Sequence, residues 1–143
     1  MGLAVFQQRE KQTVNATATG PSSRKRALVI DDDAPVRKTL HAIVTGLGFQ
    51  TDAASNGSEG LRHFESHPYD VVLTDLLMPG MTGWQVLEAV RERNPKIPVI
   101  IITGSAGHDN DRRVTQPGVA LLHKPVRMDF LGSTLARVLG EKP

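Results

Sequence analysis

The sequence predicts an α/β protein in which a five-stranded parallel sheet carries helices on both faces. Short apolar runs recur along the chain, and stretches with helical periodicity separate them. Runs that are apolar on both faces are typical of parallel strands buried between two helical layers. The regular alternation of strands and helices therefore favours a doubly wound sheet with right-handed crossovers.

Five strands are predicted, four from continuous apolar runs and one from a mixed run. The continuous runs are residues 27–30, 71–74, 99–102 and 119–122. The mixed run, Phe49 to Ala54, contains both polar and apolar residues and suits an edge strand.

Helices are predicted where apolar residues recur three or four positions apart. The predicted helices are Val36 to Leu47, a short helix around Leu61 and Phe64, Trp84 to Val90, and Met128 to Leu139. Gly48 supplies a stop for the first of them. Residues 105–116 are polar apart from Val114, so the remaining crossover helix, the fourth of five, is expected to be short or poorly ordered.

Charge divides the 143 residues into a basic N-terminal tail, 1–26, and one domain, 27–143. The tail has five basic residues and one acidic residue, whereas the remainder has 12 basic and 14 acidic residues. Residues 7–23 lack apolar periodicity, which predicts disorder. The absence of cysteine excludes disulfides and thiolate sites. No apolar run approaches the roughly 20 residues of a membrane span, and none is typical of a signal peptide, so we expect a cytoplasmic protein.

Polar residues follow the apolar strands where each strand ends. They are Asp31, Asp32 and Asp33 after the first strand, Asp75 after the third, Thr103 after the fourth and Lys124 after the fifth. Ligands of open α/β sheets bind beyond the carboxyl ends of the strands. Clustered carboxylates repel one another unless a cation compensates them, and Mg²⁺ prefers such oxygen ligands. With a lysine and a hydroxyl to hold phosphate oxygens, these groups could receive a phosphoryl group on a carboxylate.

The five histidines show no spacing that indicates a metal site. They are His41, His63, His67, His108 and His123.

The residues at the strand ends belong to motifs that resemble the receiver domain of two-component response regulators. The motifs are Leu28 to Asp33, Tyr69 to Asp75 followed by Met78 to Gly83, Val99 to Gly104, and His123 to Pro125. The resemblance covers Ala27 to about Leu139. It implies a flavodoxin-like sheet with the strand order 2-1-3-4-5.

The resemblance also implies roles for the residues at the strand ends. Asp75 is expected to be the phosphoacceptor. Mg²⁺, with Mn²⁺ as an expected substitute, would be held by Asp31, Asp32, Asp75 and the backbone carbonyl of Leu77. Thr103 and Lys124 would contact the phosphoryl group. Pro125 would follow a cis peptide bond, and Gly83 would let the loop after Asp75 turn into the next helix.

As a receiver, the protein would take its phosphoryl group from a sensor histidine kinase or a histidine phosphotransfer protein. It would then present a changed surface to a downstream protein, with no enzymatic activity beyond its own phosphorylation and dephosphorylation. Only 19 residues follow Lys124, so we expect no DNA-binding domain and no membrane contact. Homodimerisation through the C-terminal elements is left open.

Two features leave alternatives open. Leu121 stands three residues before Lys124, where the family has a switch aromatic, so the usual coupling of a threonine shift to an aromatic rotation is not expected here. Asp31 and Asp33 after an apolar strand also resemble a haloacid-dehalogenase-type phosphatase, in which Asp31 would be the nucleophile. A third alternative is an interaction module that works without phosphorylation.

Overall fold

The structure, a computed structural model, describes residues 24–140 and contains one parallel sheet of five strands. The strands are β1 (Arg26–Ile30), β2 (Gln50–Ala54), β3 (Val71–Asp75), β4 (Val99–Thr103) and β5 (Val119–His123). The helices are α1 (Ala34–Gly46), α2 (Gly57–Ser66), α3 (Gly83–Arg93) and α4 (Met128–Val138). The strand order β2-β1-β3-β4-β5 confirms the predicted flavodoxin-like arrangement.

Two apolar layers bury the sheet, one on each face, as the strand composition predicts. On one face, Leu28 and Ile101 belong to a cluster that includes Trp84 and Leu87 of α3, with Leu61 of α2 packed against it. The cluster on the other face joins alternate strand residues to α1 and α4, through members such as Leu40, Val44, Leu131 and Leu135. Burial of apolar surface on both faces fixes the position of each strand relative to its neighbours.

The register of the sheet brings the carboxyl ends of the central strands to one edge. Ile30 of β1 pairs with Thr74 of β3, and Asp75 of β3 pairs with Ile102 of β4. Thr103 of β4 pairs with His123 of β5. The polar residues that close these strands therefore lie on the same edge, as the sequence predicts.

The fourth of the five predicted helices is a single 3-10 turn, Arg112–Thr115, so the described residues contain four α-helices. Its stability comes from polar contacts, because Val114 is the one apolar residue available to anchor it. The Arg113 guanidinium lies 4.4 Å from the centre of the Trp84 ring, and it donates hydrogen bonds to Asp111 at 2.8 and 2.9 Å. The expectation of a short element here is confirmed.

The domain boundary differs slightly from the predicted one. Arg26, assigned to the tail, opens β1, and its guanidinium binds Asp52 of β2 at 2.8 Å. The predicted disordered segment, 7–23, and the rest of residues 1–23 lie outside the described residues. Within residues 24–140, no helix combines the length and hydrophobicity that crossing a membrane requires.

Gly83 allows the loop after β3 to return closely to the end of that strand. Its N–H donates to the Leu76 carbonyl at 2.8 Å. A Cβ at this position would stand 2.6 Å from the Asp75 carbonyl oxygen and 3.0 Å from the Leu76 Cα. Both atoms belong to the backbone, so the clash could be relieved only by moving the Asp75 strand end or the start of α3.

We therefore expect Gly83→Ala to lower the free energy of unfolding by about 2 kcal/mol, the typical cost of overpacking, as measured by urea denaturation. The matched control is Gly46→Ala in α1, where no atom lies within 4 Å of the added Cβ. That control should be neutral or slightly stabilising, because alanine favours a helix. Equal urea midpoints for the two variants would contradict the steric explanation.

Candidate functional site

Three charged side chains from three strand ends meet at the carboxyl edge of the sheet. The Lys124 Nζ lies 3.2 Å from the Asp31 Oδ2 and 3.3 Å from the Asp75 Oδ1. Asp31 is fully buried and the Asp75 side chain is 9% exposed, whereas the Lys124 side chain remains 23% exposed. One ammonium group therefore faces two carboxylates that are almost entirely removed from water.

Asp32 adds a third carboxylate from the solvent side. Ligand oxygens of Asp31, Asp32 and Asp75 lie within 4.8 Å of one another, and Asp32 is exposed. Asp33, the last of the three consecutive aspartates, instead caps α1 by accepting a hydrogen bond from the Val36 N–H at 3.2 Å. The three aspartates are consecutive in the sequence, but only Asp31 and Asp32 belong to the carboxylate cluster. Asp33 serves as the helix cap of α1.

The cluster shifts the acid–base behaviour of its members. Burial and repulsion from Asp31 raise the pKa of Asp75 to about 6, although attraction to Lys124 opposes the rise. For Lys124, burial lowers the pKa, but attraction to Asp31 and Asp75 outweighs burial and the pKa lies above its ordinary value. A carboxyl pKa this high indicates that one ammonium does not compensate the negative charge at the site.

The residues present fit a hard divalent cation. The Asp31 Oδ2 is buried and accepts no hydrogen bond from the described residues, so its close contact is the Lys124 ammonium. The Asp31 Oδ1 is occupied by the Asp33 N–H at 2.9 Å, which fixes the orientation of the carboxylate. An all-oxygen set of this kind is what Mg²⁺ binds in proteins, with water completing its coordination.

Leu77 lies two residues after Asp75 in the loop that follows β3. Its side chain is 56% exposed, which is unusual for leucine. Its main-chain carbonyl accepts no main-chain hydrogen bond outside regular elements within the described residues. The carbonyl is therefore available as a further oxygen donor.

Thr103 and Lys124 are joined through the backbone at the end of the sheet. The Lys124 N–H donates to the Thr103 carbonyl at 2.8 Å, and the Lys124–Pro125 peptide bond is cis. The Thr103 side chain is buried and its hydroxyl lies 3.0 Å from the Ser105 Oγ. The Thr103 hydroxyl is thus already engaged with the following loop.

Two polar residues of the loop after β4 extend this network. The Ser105 Oγ lies 2.9 Å from the His108 Nε2, so a hydrogen-bonded chain runs from Thr103 through Ser105 to His108. The Ser105 N–H also donates to the Thr103 hydroxyl at 3.0 Å. Sequence reasoning missed His108 because nothing in a polar loop shows which histidine turns back toward the strand end.

The family model for the response regulator receiver domain matches residues 27–136. The chain is 32% identical, over 82% of its length, to the sensor histidine kinase RcsC of Salmonella typhimurium, and 36% identical, over 78%, to the DNA-binding transcriptional regulator NtrC of Escherichia coli. It spans only 13% and 24% of those two proteins.

A solved structure of the response regulator protein TrrA from Thermotoga maritima, in complex with Mg²⁺-BeF, is similar in fold. The TM-score is 0.73 at 29% identity, and the match covers 80% of this chain and 98% of that one. The chain therefore belongs to the response regulator receiver domain family of two-component systems.

Proposed function

We propose that Asp75 accepts a phosphoryl group from a phosphohistidine of a sensor histidine kinase or a histidine phosphotransfer protein. Asp31, Asp32, Asp75 and the Leu77 carbonyl would hold Mg²⁺ during the transfer. The receiver unit would span residues 27–143 and act in the cytoplasm. The single observation that carries the proposal is the Lys124 ammonium placed 3.2 Å from Asp31 and 3.3 Å from Asp75.

The transfer needs a carboxylate nucleophile and groups that neutralise the incoming phosphate. An Asp75 oxygen attacks phosphorus, an acyl-phosphate bond forms, and the phosphorus–nitrogen bond of the phosphohistidine breaks. The imidazole leaves with the bonding electron pair and takes up a proton from water. The residues that would hold Mg²⁺ would thereby supply neutralisation of the charge on the transferred oxygens, and phosphoryl transfer depends mainly on positioning and such neutralisation.

The Asp75 carboxylate is already oriented by its neighbours. Its Oδ1 accepts the Leu76 N–H at 3.0 Å and lies 3.3 Å from the Lys124 Nζ. Lys124, which is partly exposed, can keep its contact with the carboxylate and also reach an oxygen of the phosphoryl group. The Lys124 charge would therefore stabilise the Asp75 carboxylate before the transfer and the phosphoryl group after it.

The signal would leave the site through the loop after β4. A Thr103 hydroxyl that turns toward the phosphoryl group gives up its contact with Ser105, and this in turn releases the Ser105–His108 hydrogen bond. Leu121 is partly buried against the apolar cluster below the loop and has no polar group to take part. Phosphorylation would thus shift the equilibrium between two arrangements of this loop, one with these contacts and one without them. A downstream protein would bind one arrangement more tightly than the other.

Replacing the acceptor tests the proposal directly. With acetyl phosphate and Mg²⁺, the wild-type protein should gain one phosphoryl group, and Asp75→Asn should gain none because an amide oxygen is a poor nucleophile. Intact-mass spectrometry measures both. The control, Asp129→Asn, changes an exposed aspartate of α4 and should behave as wild type. A phosphoenzyme that persists in Asp75→Asn would instead favour the phosphatase with Asp31 as nucleophile.

The raised Asp75 pKa predicts a pH dependence of stability in the protein without Mg²⁺. An unfolded aspartate ionises near pH 3.8, whereas folded Asp75 ionises near 6, so its contribution is fully present below about pH 4 and is lost as pH rises through 6. Asp75→Asn should therefore stabilise the metal-free protein by about 3 kcal/mol at pH 7.5 and by little at pH 4. Urea denaturation measures this difference. An equal effect at both pH values would contradict it.

Lys124→Ala separates phosphorylation from its structural consequence. We expect the variant to accept phosphate from acetyl phosphate at a reduced rate, because Mg²⁺ ligands and nucleophile remain. The amide resonances of Ser105 and His108 should no longer shift on phosphorylation, because the ammonium that holds the phosphoryl group is gone. The control is Lys96→Ala, which lies in the exposed turn before β4. Wild-type loop shifts in phosphorylated Lys124→Ala would contradict the proposed coupling.

A further inference from the structure

A second cluster of ligand-type side chains lies on the edge strand β2, apart from the three aspartates of the phosphorylation site. Asp52 of β2 meets His63 and His67, which belong to the last turn of α2 and to its C-cap. One ligand atom of each residue lies within 4.8 Å of the other two. We propose that Asp52, His63 and His67 form a binding site for a divalent transition-metal ion of the Zn²⁺ class.

The two histidines are placed together by the helix itself. Residues four positions apart share one face of an α-helix, and His63 and His67 have this spacing. The His67 N–H donates to the His63 carbonyl at 3.1 Å, so the C-cap is held to the last turn. The two rings have centroids 6.5 Å apart and planes inclined by 30°. The interpretation of the sequence, that the histidines have no metal-ligand spacing, did not take account of this pair.

Asp52 is oriented by two hydrogen bonds to the same oxygen. Its Oδ2 accepts the Tyr69 hydroxyl at 2.6 Å and the Arg26 guanidinium at 2.8 Å. Burial raises the pKa of Asp52, but these two hydrogen bonds outweigh burial, and the pKa lies below its ordinary value. The Asp52 Oδ1 accepts no hydrogen bond from the described residues, so this oxygen is left for a metal ion. Hydrogen bonds of this kind hold ligating carboxylates in place.

The donor set of this second cluster favours a different ion from the one that the phosphorylation site favours. Two imidazole nitrogens and one carboxylate suit Zn²⁺ and its neighbours, whereas three carboxylates suit Mg²⁺. Bonds of about 2.0 Å to a tetrahedral ion would place ligand atoms about 3.3 Å apart. Moving the ligand atoms together from separations of up to 4.8 Å requires side-chain rotation, which is available because His67 is exposed and His63 is only half-buried.

The site would join the end of α2 to the edge of the sheet. β2 pairs with β1 alone, so its outer side lacks a strand partner among the described residues. Three protein ligands leave a fourth position for water, and the exposed His67 opens the site to solvent. The Arg26 guanidinium already neutralises part of the negative charge of Asp52. The affinity for the metal ion should therefore be micromolar, weaker than that of a site whose carboxylate has no ion pair.

The test is a titration of the full chain, without an affinity tag, by Zn²⁺ and by Co²⁺ in the presence of saturating Mg²⁺. Mg²⁺ keeps the three aspartates of the phosphorylation site occupied. We expect one Zn²⁺ ion to bind with a micromolar Kd in calorimetry, and Co²⁺ to give the intense visible absorption of a four-coordinate site. A 100-fold excess of Zn²⁺ over the Kd should raise the melting temperature by at least about 5 °C.

Single substitutions decide whether these residues are the ligands. His63→Gln and His67→Gln should each weaken Zn²⁺ binding at least tenfold and remove the visible Co²⁺ bands. The matched control is His123→Gln, because His123 also lies beside a carboxylate, that of Asp109 at 3.0 Å, but this pair belongs to no cluster of three ligand-type side chains within the described residues. It should bind as wild type does. A wild-type Kd above about 1 mM, or binding that survives both α2 substitutions, would overturn the proposal.

Discussion

The structure depends on one imbalance of charge: two buried carboxylates, Asp31 and Asp75, share the single ammonium of Lys124. Removing a carboxylate from water is costly unless a cation approaches it, and here the cation falls short by at least one charge. Burial and, after it, repulsion from Asp31 raise the pKa of Asp75, because the single ammonium of Lys124 does not offset both. A site in this condition favours any ligand that adds positive charge beside Asp31, and under the proposed function such a ligand would prepare Asp75 to accept a phosphoryl group.

The rest of the fold keeps these groups in place. The parallel register brings three strand ends to one edge, Asp33 starts α1 directly behind Asp31, and Gly83 brings α3 back against the backbone of Asp75. The side facing the 3-10 turn is different, because polar contacts replace the apolar face of a regular helix. Thr103 is linked there to Ser105 and His108. The edge that carries Asp31 and Asp75 is therefore held by close backbone contacts and apolar packing, whereas the segment after Thr103 is held by a few hydrogen bonds.

The sequence predicted the parts of the molecule that follow from local pattern. Buried strands, their polar ends and the short fourth crossover element could all be inferred, because periodicity and breaker residues encode them. Contacts made by irregular segments could not be inferred, such as the Ser105–His108 hydrogen bond within one loop and the packing of Arg113 on the distant Trp84. The grouping of Asp52 with two α2 histidines also needed the structure, since only the fold brings β2 beside that helix end.

The most direct test of this charge imbalance is an amide NMR titration with Mg²⁺ and fluoroberyllate, which mimics a phosphoryl group on a carboxylate. We expect resonances around Asp31, Asp75, Thr103 and Lys124 to shift together and to saturate at one equivalent. Fluoroberyllate without Mg²⁺ should have little effect, because the ammonium alone does not balance the added negative charge. A spectrum unchanged by both ligands together, or shifts confined to residues far from this edge, would contradict the central role of the three strand ends.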